Sequence, residues 1–209
     1  MAETDTLSEA FLALELGTAA NAPFEITDET PWRRGGAETY ALDFRVVGRN
    51  GFARHLLLKA CVVPPVGRSL SQVVFEWTER RVLLQEHGVI VPTLYSAREA
   101  TILEEFVPFT LEAVLSRTRA IPDWAIAQGA HLAATLDLLR FNTIALLQDA
   151  RSHRDDIVLV DFGQDHGPPC VAPHPQGLDP LVRAFQSYGF SMTEEQCRDL
   201  NRSYRKSLG

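Results

Sequence analysis

The clearest chemical signal in this sequence is an aspartate that directly follows a short apolar run. Residues 157–160 (Ile-Val-Leu-Val) lead into Asp161, and Phe162 and Gly163 complete an Asp-Phe-Gly motif. A short run rich in β-branched residues predicts a buried strand, and the glycine allows a sharp backbone turn after the carboxylate. Because carboxylate oxygens are ligands that Mg²⁺ prefers, the pattern predicts that Asp161 binds a metal ion.

A lysine at the end of a second apolar run has the chemistry of a phosphate ligand. Lys59 follows residues 56–58 (Leu-Leu-Leu), and a lysine on a buried strand binds phosphate oxygens if a carboxylate positions it. Glu76 and Glu79 share one face of the next predicted helix. We favour Glu79, because Leu83 lies one turn later, where the helix is expected to dock. The alternative is that Lys59 is an edge-strand charge and Glu79 a solvated helix charge.

Asp137 and Asn142 lie five residues apart, a spacing that allows two roles on one loop. The aspartate can orient the hydroxyl group of an acceptor, and the side-chain oxygen of the asparagine can hold a second magnesium ion. The alternative is that both residues belong to the C-terminus of a helix. The apolar strand predicted directly after Asn142 favours the first interpretation.

Backbone groups from two further segments complete the candidate site. The strand predicted over residues 101–107 ends near Glu105 and Val107, where N–H and C=O groups can meet the edge of an adenine base. The alternative is an ordinary connecting strand. Gly35 and Gly36 are the candidates for a turn whose backbone amides cradle phosphate.

The elements that must position these residues are segregated along the chain. A leader over residues 1–22 is followed by strands around Asn50-Gly51, a strong hairpin signal. The predicted strands cover residues 40–47, 55–63, 93–97, 101–107, 143–147 and 157–160. The last two are predicted to pair around a polar turn over residues 149–156. The predicted helices cover residues 69–87, 111–117, 124–139, 178–188 and 193–208. The order predicts an α+β fold, with a small antiparallel sheet and one main helix over 23–108 and a compact, mostly helical part with a β-hairpin over 109–209.

Composition excludes several classes of protein. The chain has 209 residues and a formal net charge of −7, which argues against nucleic-acid binding. No apolar run approaches the roughly 20 residues that span a bilayer, and no classical signal peptide is visible. The three scattered cysteines indicate reduced thiols. We therefore expect a cytoplasmic protein, or one delivered into a host cell as an effector, and a monomer is the default expectation.

The order of these motifs resembles the protein-kinase-like superfamily. The similarity covers roughly residues 24–205 and extends to minimal kinases such as the RIO kinases, bacterial effector-type kinases and aminoglycoside phosphotransferases. It implies a two-lobed fold that uses ATP and Mg²⁺. It also implies a phosphate-binding Lys59 paired with Glu79, an adenine-binding segment at Glu105 and Val107, a catalytic Asp137, and metal ligands at Asn142 and Asp161.

The sequence also departs from the pattern of that superfamily. Thr135 stands where a histidine is usual, Leu139 stands where protein kinases have a lysine, and the phosphate loop around Gly35 and Gly36 is weak. The catalytic tripeptide His-Arg-Asp does occur, at residues 153–155, but it lies only six residues before Asp161. No catalytic loop followed by a strand fits in that interval, so we predict a solvated hairpin tip there.

The resemblance implies an ATP- and magnesium-dependent phosphotransferase, and three interpretations of its activity stay open. The first is a minimal protein serine/threonine kinase with a protein acceptor, favoured by the compact helical part. The second is a pseudokinase that serves as a nucleotide- or protein-binding module, favoured by the departures. The third is a kinase for a small-molecule hydroxyl group of the antibiotic-modifying type. A globular domain of another class, with coincidental motifs, is the remaining alternative.

Overall fold

The computed structural model describes residues 24–27, 33–34, 39–48, 53–61, 67–141, 150–153, 155–161 and 177–209. The chain divides into two compact units, Met1–Thr78 with Thr93–Phe106 and Glu79–Pro92 with Val107–Gly209. In the described residues, the first unit holds an antiparallel sheet and most of the adjoining helix, and the second is mostly helical. The predicted α+β organisation is confirmed at this level.

Six of the described strands form one sheet in the first unit. They are β1 (Phe24–Thr27), β2 (Arg33–Arg34), β3 (Thr39–Gly48), β4 (Ala53–Cys61), β5 (Leu94–Arg98) and β6 (Thr101–Glu105). The order is β1-β3-β4-β6-β5, with β2 also paired to β3, and every pairing is antiparallel. Val47 pairs with Ala53 across the short connection that contains Asn50-Gly51, so the predicted hairpin is confirmed.

The register gives this sheet two chemically different faces, because successive side chains of a strand point to opposite sides. The apolar face consists of Leu42, Phe44, Val46, Leu56, Leu58 and Leu103, which form one buried cluster. The alternate positions form what we call the charged face, which carries Asp43, His55, Lys59 and Glu104. Burial of the apolar face stabilises the sheet, and the charged face holds ionisable groups on the same rigid framework.

Helix α1 (Leu70–Glu86) confirms the helix predicted over residues 69–87. Ser69 caps its start: the Ser69 Oγ accepts from the Gln72 N–H at 3.2 Å, and the Gln72 side chain accepts from the Ser69 N–H at 2.8 Å. Gly88 follows the helix with a φ of 76°, a left-handed conformation that suits glycine. The predicted end of the helix is therefore confirmed as well.

The buried face of α1 differs from the one assumed in choosing Glu79. The buried residues are Val73, Val74, Trp77, Arg81 and Leu84, at three- and four-residue spacing. Leu83 is 39% exposed, so it does not dock the helix as predicted. Glu79 is exposed. The argument for Glu79 assumed that Leu83 docks the helix. It is therefore wrong, because the buried residues here are Arg81 and Leu84.

The second unit contains a small sheet and the remaining described helices. The strands are β7 (Phe109–Thr110), β8 (Ala150–His153) and β9 (Asp156–Leu159). The helices are α2 (Leu111–Thr118), α3 (Asp123–Leu138), α4 (Asp179–Ser187) and α5 (Glu194–Leu208). All four helices agree with the predicted ones to within one residue at each end. Thr110 caps α2, and Thr193 and Gln196 form a capping box at α5.

The prediction of a hairpin before Asp161 is confirmed at the tip, but the prediction of one of its two strands is wrong. The partner of β9 is Ala150–His153, a stretch predicted to belong to a polar turn. The predicted partner, residues 143–147, lies outside the described residues. His153 pairs with Asp156, and Asp155 is exposed with a φ of 66°. The His-Arg-Asp tripeptide therefore marks a hairpin tip, as predicted.

Among the helices that the structure describes, none is long and apolar enough to cross a lipid bilayer.

Candidate functional site

Lys59 lies on the charged face of the sheet and is paired with a buried carboxylate. Its Nζ is 2.9 Å from the Oε1 of Glu104, and the two side chains are 15% and 0% exposed. The same Nζ lies 5.6 Å from the centroid of the Trp77 ring, within the range of a cation–π interaction. A carboxylate therefore lies beside this lysine, and it comes from a strand of the sheet.

The register explains why Lys59 and Glu104 meet. On adjacent strands β4 and β6, Leu57 is opposite Glu104 and Lys59 is opposite Ile102. Lys59 and Glu104 are therefore diagonal neighbours on one face, a separation that a long side chain spans easily. The pair is thus fixed by backbone hydrogen bonding between two strands.

The charged face carries a second pair beside this one. The Nε2 of His55 is 2.9 Å from the Oδ2 of buried Asp43. The His55 ring also contacts the Phe106 ring, with the centroids 4.1 Å apart. The backbone of His55 accepts a hydrogen bond from the Phe106 N–H at 3.0 Å. His55 therefore anchors the segment predicted to bind adenine.

The ends of that predicted segment have different surroundings. The Glu105 N–H donates to the Thr93 carbonyl at 2.8 Å, and the Glu105 Oε2 accepts from the Thr93 hydroxyl at 3.0 Å. Val107 is buried. The N–H groups of Glu105 and Phe106 both donate to backbone carbonyls. Binding of adenine would therefore use the other backbone groups of this segment.

Asp161 follows a buried strand, as the sequence predicted. Ile157, Val158 and Leu159 are buried, and Asp161 is partly exposed two residues after β9 ends. The Leu159 N–H also donates to the Ile90 carbonyl at 2.9 Å, which fixes the end of the strand. Phe162 and Gly163 lie outside the described residues.

Asp137 lies in the last turn of α3 and is almost completely buried. It is 7% exposed, and its Oδ2 accepts hydrogen bonds from the Tyr204 hydroxyl at 2.6 Å and the Gly177 N–H at 2.8 Å. Burial of Tyr204 raises its pKa from 10.0 to about 12, and the hydrogen bond to Asp137 and the negative charge of Asp137 act in the same direction. The carboxylate therefore ties α3 to α5 and to the start of the segment that leads into α4.

Three of the predicted site residues lie outside the described residues: Gly35, Gly36 and Asn142. Glu79 is described and exposed on α1. The first unit brings together Lys59 and Glu104, and it places Glu105 at the end of the strand that carries Glu104.

The sequence argument missed Glu104, Asp43 and His55 as members of a charged face. The alternation of β4 could have found part of it, since residues 55, 57 and 59 must share a side. To predict Glu104, one must also know that β4 pairs with β6. The sequences of two apolar strands about 40 residues apart do not specify that pairing by themselves.

Asp161 is the described residue that fits the predicted magnesium ion. An ion bound together with a nucleotide needs only one or two protein carboxylates, because phosphate and water supply the other oxygens. A partly exposed aspartate at the end of a buried strand meets that requirement. In the ranges that the structure describes, no group of three or more His, Cys, Asp or Glu side chains is arranged to hold a metal.

No protein-family model matches this chain, and no curated protein is significantly similar to it.

Proposed function

We propose that this protein is an ATP- and Mg²⁺-dependent phosphotransferase with a protein-kinase-like fold, acting as a minimal serine/threonine kinase on a protein acceptor. The observation that carries the proposal is the pair of Lys59 and Glu104, in which a buried carboxylate holds an ammonium group 2.9 Å away on a rigid sheet. A lysine on a buried strand, positioned by a carboxylate, is what binding of ATP phosphates requires.

The predicted site residues other than Glu79 each have a role in this proposal. Lys59 binds phosphate oxygens, and the backbone at Glu105 and Val107 binds the adenine edge. Asp161 and Asn142 would hold Mg²⁺, which neutralises charge on the phosphates when bound. Gly35 and Gly36 would add backbone amides.

The proposed role of Asp137 in the reaction rests on the resemblance to protein kinases. The proposal assigns it to orienting the acceptor hydroxyl group. Its Oδ2 accepts hydrogen bonds from Tyr204 and Gly177, which are contacts within the fold of the second unit.

This engagement favours a second candidate, a nucleotide-binding module that does not transfer phosphate. A carboxylate that is 7% exposed and anchors two segments has a structural function whether or not chemistry occurs nearby. In that case ATP binding at Lys59 would survive without turnover.

The test is incubation with γ-labelled ATP and Mg²⁺ in the presence of cell extracts, with the Asp161→Ala variant as control. Label on a discrete protein supports the protein kinase, and label on a small molecule supports the antibiotic-modifying type. Binding of MgATP with no transfer supports the nucleotide-binding module. Absence of both binding and transfer rejects the proposed function. Extracts from the producing cell and from a host cell distinguish cytoplasmic action from delivery as an effector.

A further inference from the structure

We propose that Glu104, and not a carboxylate of helix α1, is the positioning residue for the phosphate-binding Lys59. This inference rests on the proposed function and specifies how its site is built. Lys59 would then be oriented by the sheet itself, through two strands that are hydrogen-bonded to each other.

The first step of the argument is burial. The side chain of Glu104 is 0% exposed, and its Oε1 is 2.9 Å from the Lys59 Nζ. A carboxylate removed from water is costly unless a cation or hydrogen-bond donors compensate it. The contact with Lys59 provides such compensation, so the fold favours the lysine position that lies beside Glu104.

The second step is the number of donors on an ammonium group. Lysine has three N–H donors, so one ammonium group can contact a carboxylate and a phosphate oxygen at the same time. The Nζ of Lys59 also lies 5.6 Å from the centroid of the Trp77 ring. The contact with Glu104 is therefore compatible with a contact between the same ammonium group and phosphate.

The third step compares the two candidate carboxylates. Glu79 is exposed on α1, and a solvated glutamate side chain loses conformational entropy when it is fixed in an ion pair. Glu104 is already fixed by packing and by its strand. A preorganised partner loses less entropy on ligand binding, so Glu104 is the better positioning group.

A consequence distinguishes this arrangement from one in which a helix must move into place. Lys59 and Glu104 belong to β4 and β6, which pair directly with each other through their backbones. We therefore expect the lysine to be positioned for phosphate before the nucleotide binds.

The experiment measures binding of MgATP and of adenosine to wild type, Glu104→Gln and Glu79→Gln, with Glu86→Gln as a matched control on the exposed side of α1. We expect Glu104→Gln to weaken MgATP binding about tenfold or more, because Lys59 loses the charged partner beside it. Adenosine has no phosphates, so its affinity should stay within about twofold. Glu79→Gln should have a smaller effect on MgATP than Glu104→Gln.

Each other outcome has a defined meaning. Equal MgATP affinity of Glu104→Gln and wild type overturns the inference, as does a larger loss in Glu79→Gln. A parallel loss for MgATP and adenosine means that Glu104 is only structural, which also overturns it. If Glu104→Gln does not fold, Glu104→Asp takes its place; it keeps the charge but shortens the reach by one methylene, and the same pattern is expected. Wild type that binds no MgATP would instead reject the proposed function.

Discussion

Glu104 and Asp137 are both buried carboxylates, but their partners differ in kind. Glu104 contacts the ammonium group of a long side chain, Lys59, at 2.9 Å. Asp137 accepts hydrogen bonds from the Tyr204 hydroxyl at 2.6 Å and the Gly177 N–H at 2.8 Å. The partner of Glu104 has donors that suit a ligand, whereas the partners of Asp137 belong to the framework of the second unit.

This difference teaches how burial should be interpreted at a candidate site. A buried carboxylate serves ligand binding when the group it holds can also contact the ligand. It serves the fold when the groups it holds join secondary-structure elements. Asp161 is a third case, because it is partly exposed and follows the end of a buried strand.

The Asp161→Ala substitution should have the largest effect on activity and little effect on stability. We expect phosphate transfer to fall by at least about 10²–10³-fold, because a group that stabilises charge in the transition state is lost. The free energy of unfolding should change by less than about 1 kcal/mol. Transfer assays and denaturant titration measure the two quantities. Normal turnover in this variant would remove the metal assignment.

The Asp137→Ala substitution should instead lower stability. The loss leaves the Tyr204 hydroxyl and the Gly177 N–H without this acceptor, which costs about 2 kcal/mol. Denaturant unfolding of this variant and of Tyr204→Phe measures the effect, and Tyr204→Phe should lose about 1 kcal/mol because it removes only one bond.

Kinetics of the same Asp137→Ala variant, at a temperature where it stays folded, test the role implied by the resemblance. A strong fall in turnover with unchanged nucleotide affinity is expected if Asp137 orients the acceptor. Unchanged turnover together with lower stability would assign the residue to the fold alone.

The stability of the protein should also fall at alkaline pH because of Tyr204. Its pKa is raised from 10.0 to about 12 in the folded state. Between these values the unfolded chain loses the phenolic proton first, so the contribution of Tyr204 is complete below pH 10 and is lost as the pH rises through 12. The Tyr204→Phe variant should show a shallower loss of stability over this window. Parallel curves for the two proteins would contradict the assigned environment of Tyr204.

The His153→Ala substitution should have the smallest effect of all. The residue belongs to the last pair of the β8–β9 hairpin, next to its tip, and takes no part in the proposed chemistry. Transfer rate and midpoint of unfolding should match the wild type closely. An inactive but folded variant would mean that the His-Arg-Asp tripeptide is the catalytic loop after all.

Local patterns predicted much of the fold. The helix over residues 70–86 follows from its apolar spacing and from Gly88 after its end. The strand before Asp161 was visible from four apolar residues in succession. These features depend on interactions within a few residues of each other, which a sequence records directly.

Features that depend on distant pairing were harder to predict. The partner of Lys59 follows from the register of β4 on β6, and the partner of β9 is a strand that contains Arg151 and His153. The docking role predicted for Leu83 was wrong, because the buried residues of α1 include Arg81 and Leu84 instead. Polar residues in buried positions obscure the periodicity that the prediction used.

Calorimetric titration of MgATP into wild type and into the Lys59→Met variant tests the central claim most directly. The account predicts saturable binding to wild type and a loss of at least about tenfold in the folded variant, because the ammonium contact with phosphate is removed. Equal affinity of the two proteins, or no binding to wild type, would contradict the claim that Lys59 is a phosphate ligand.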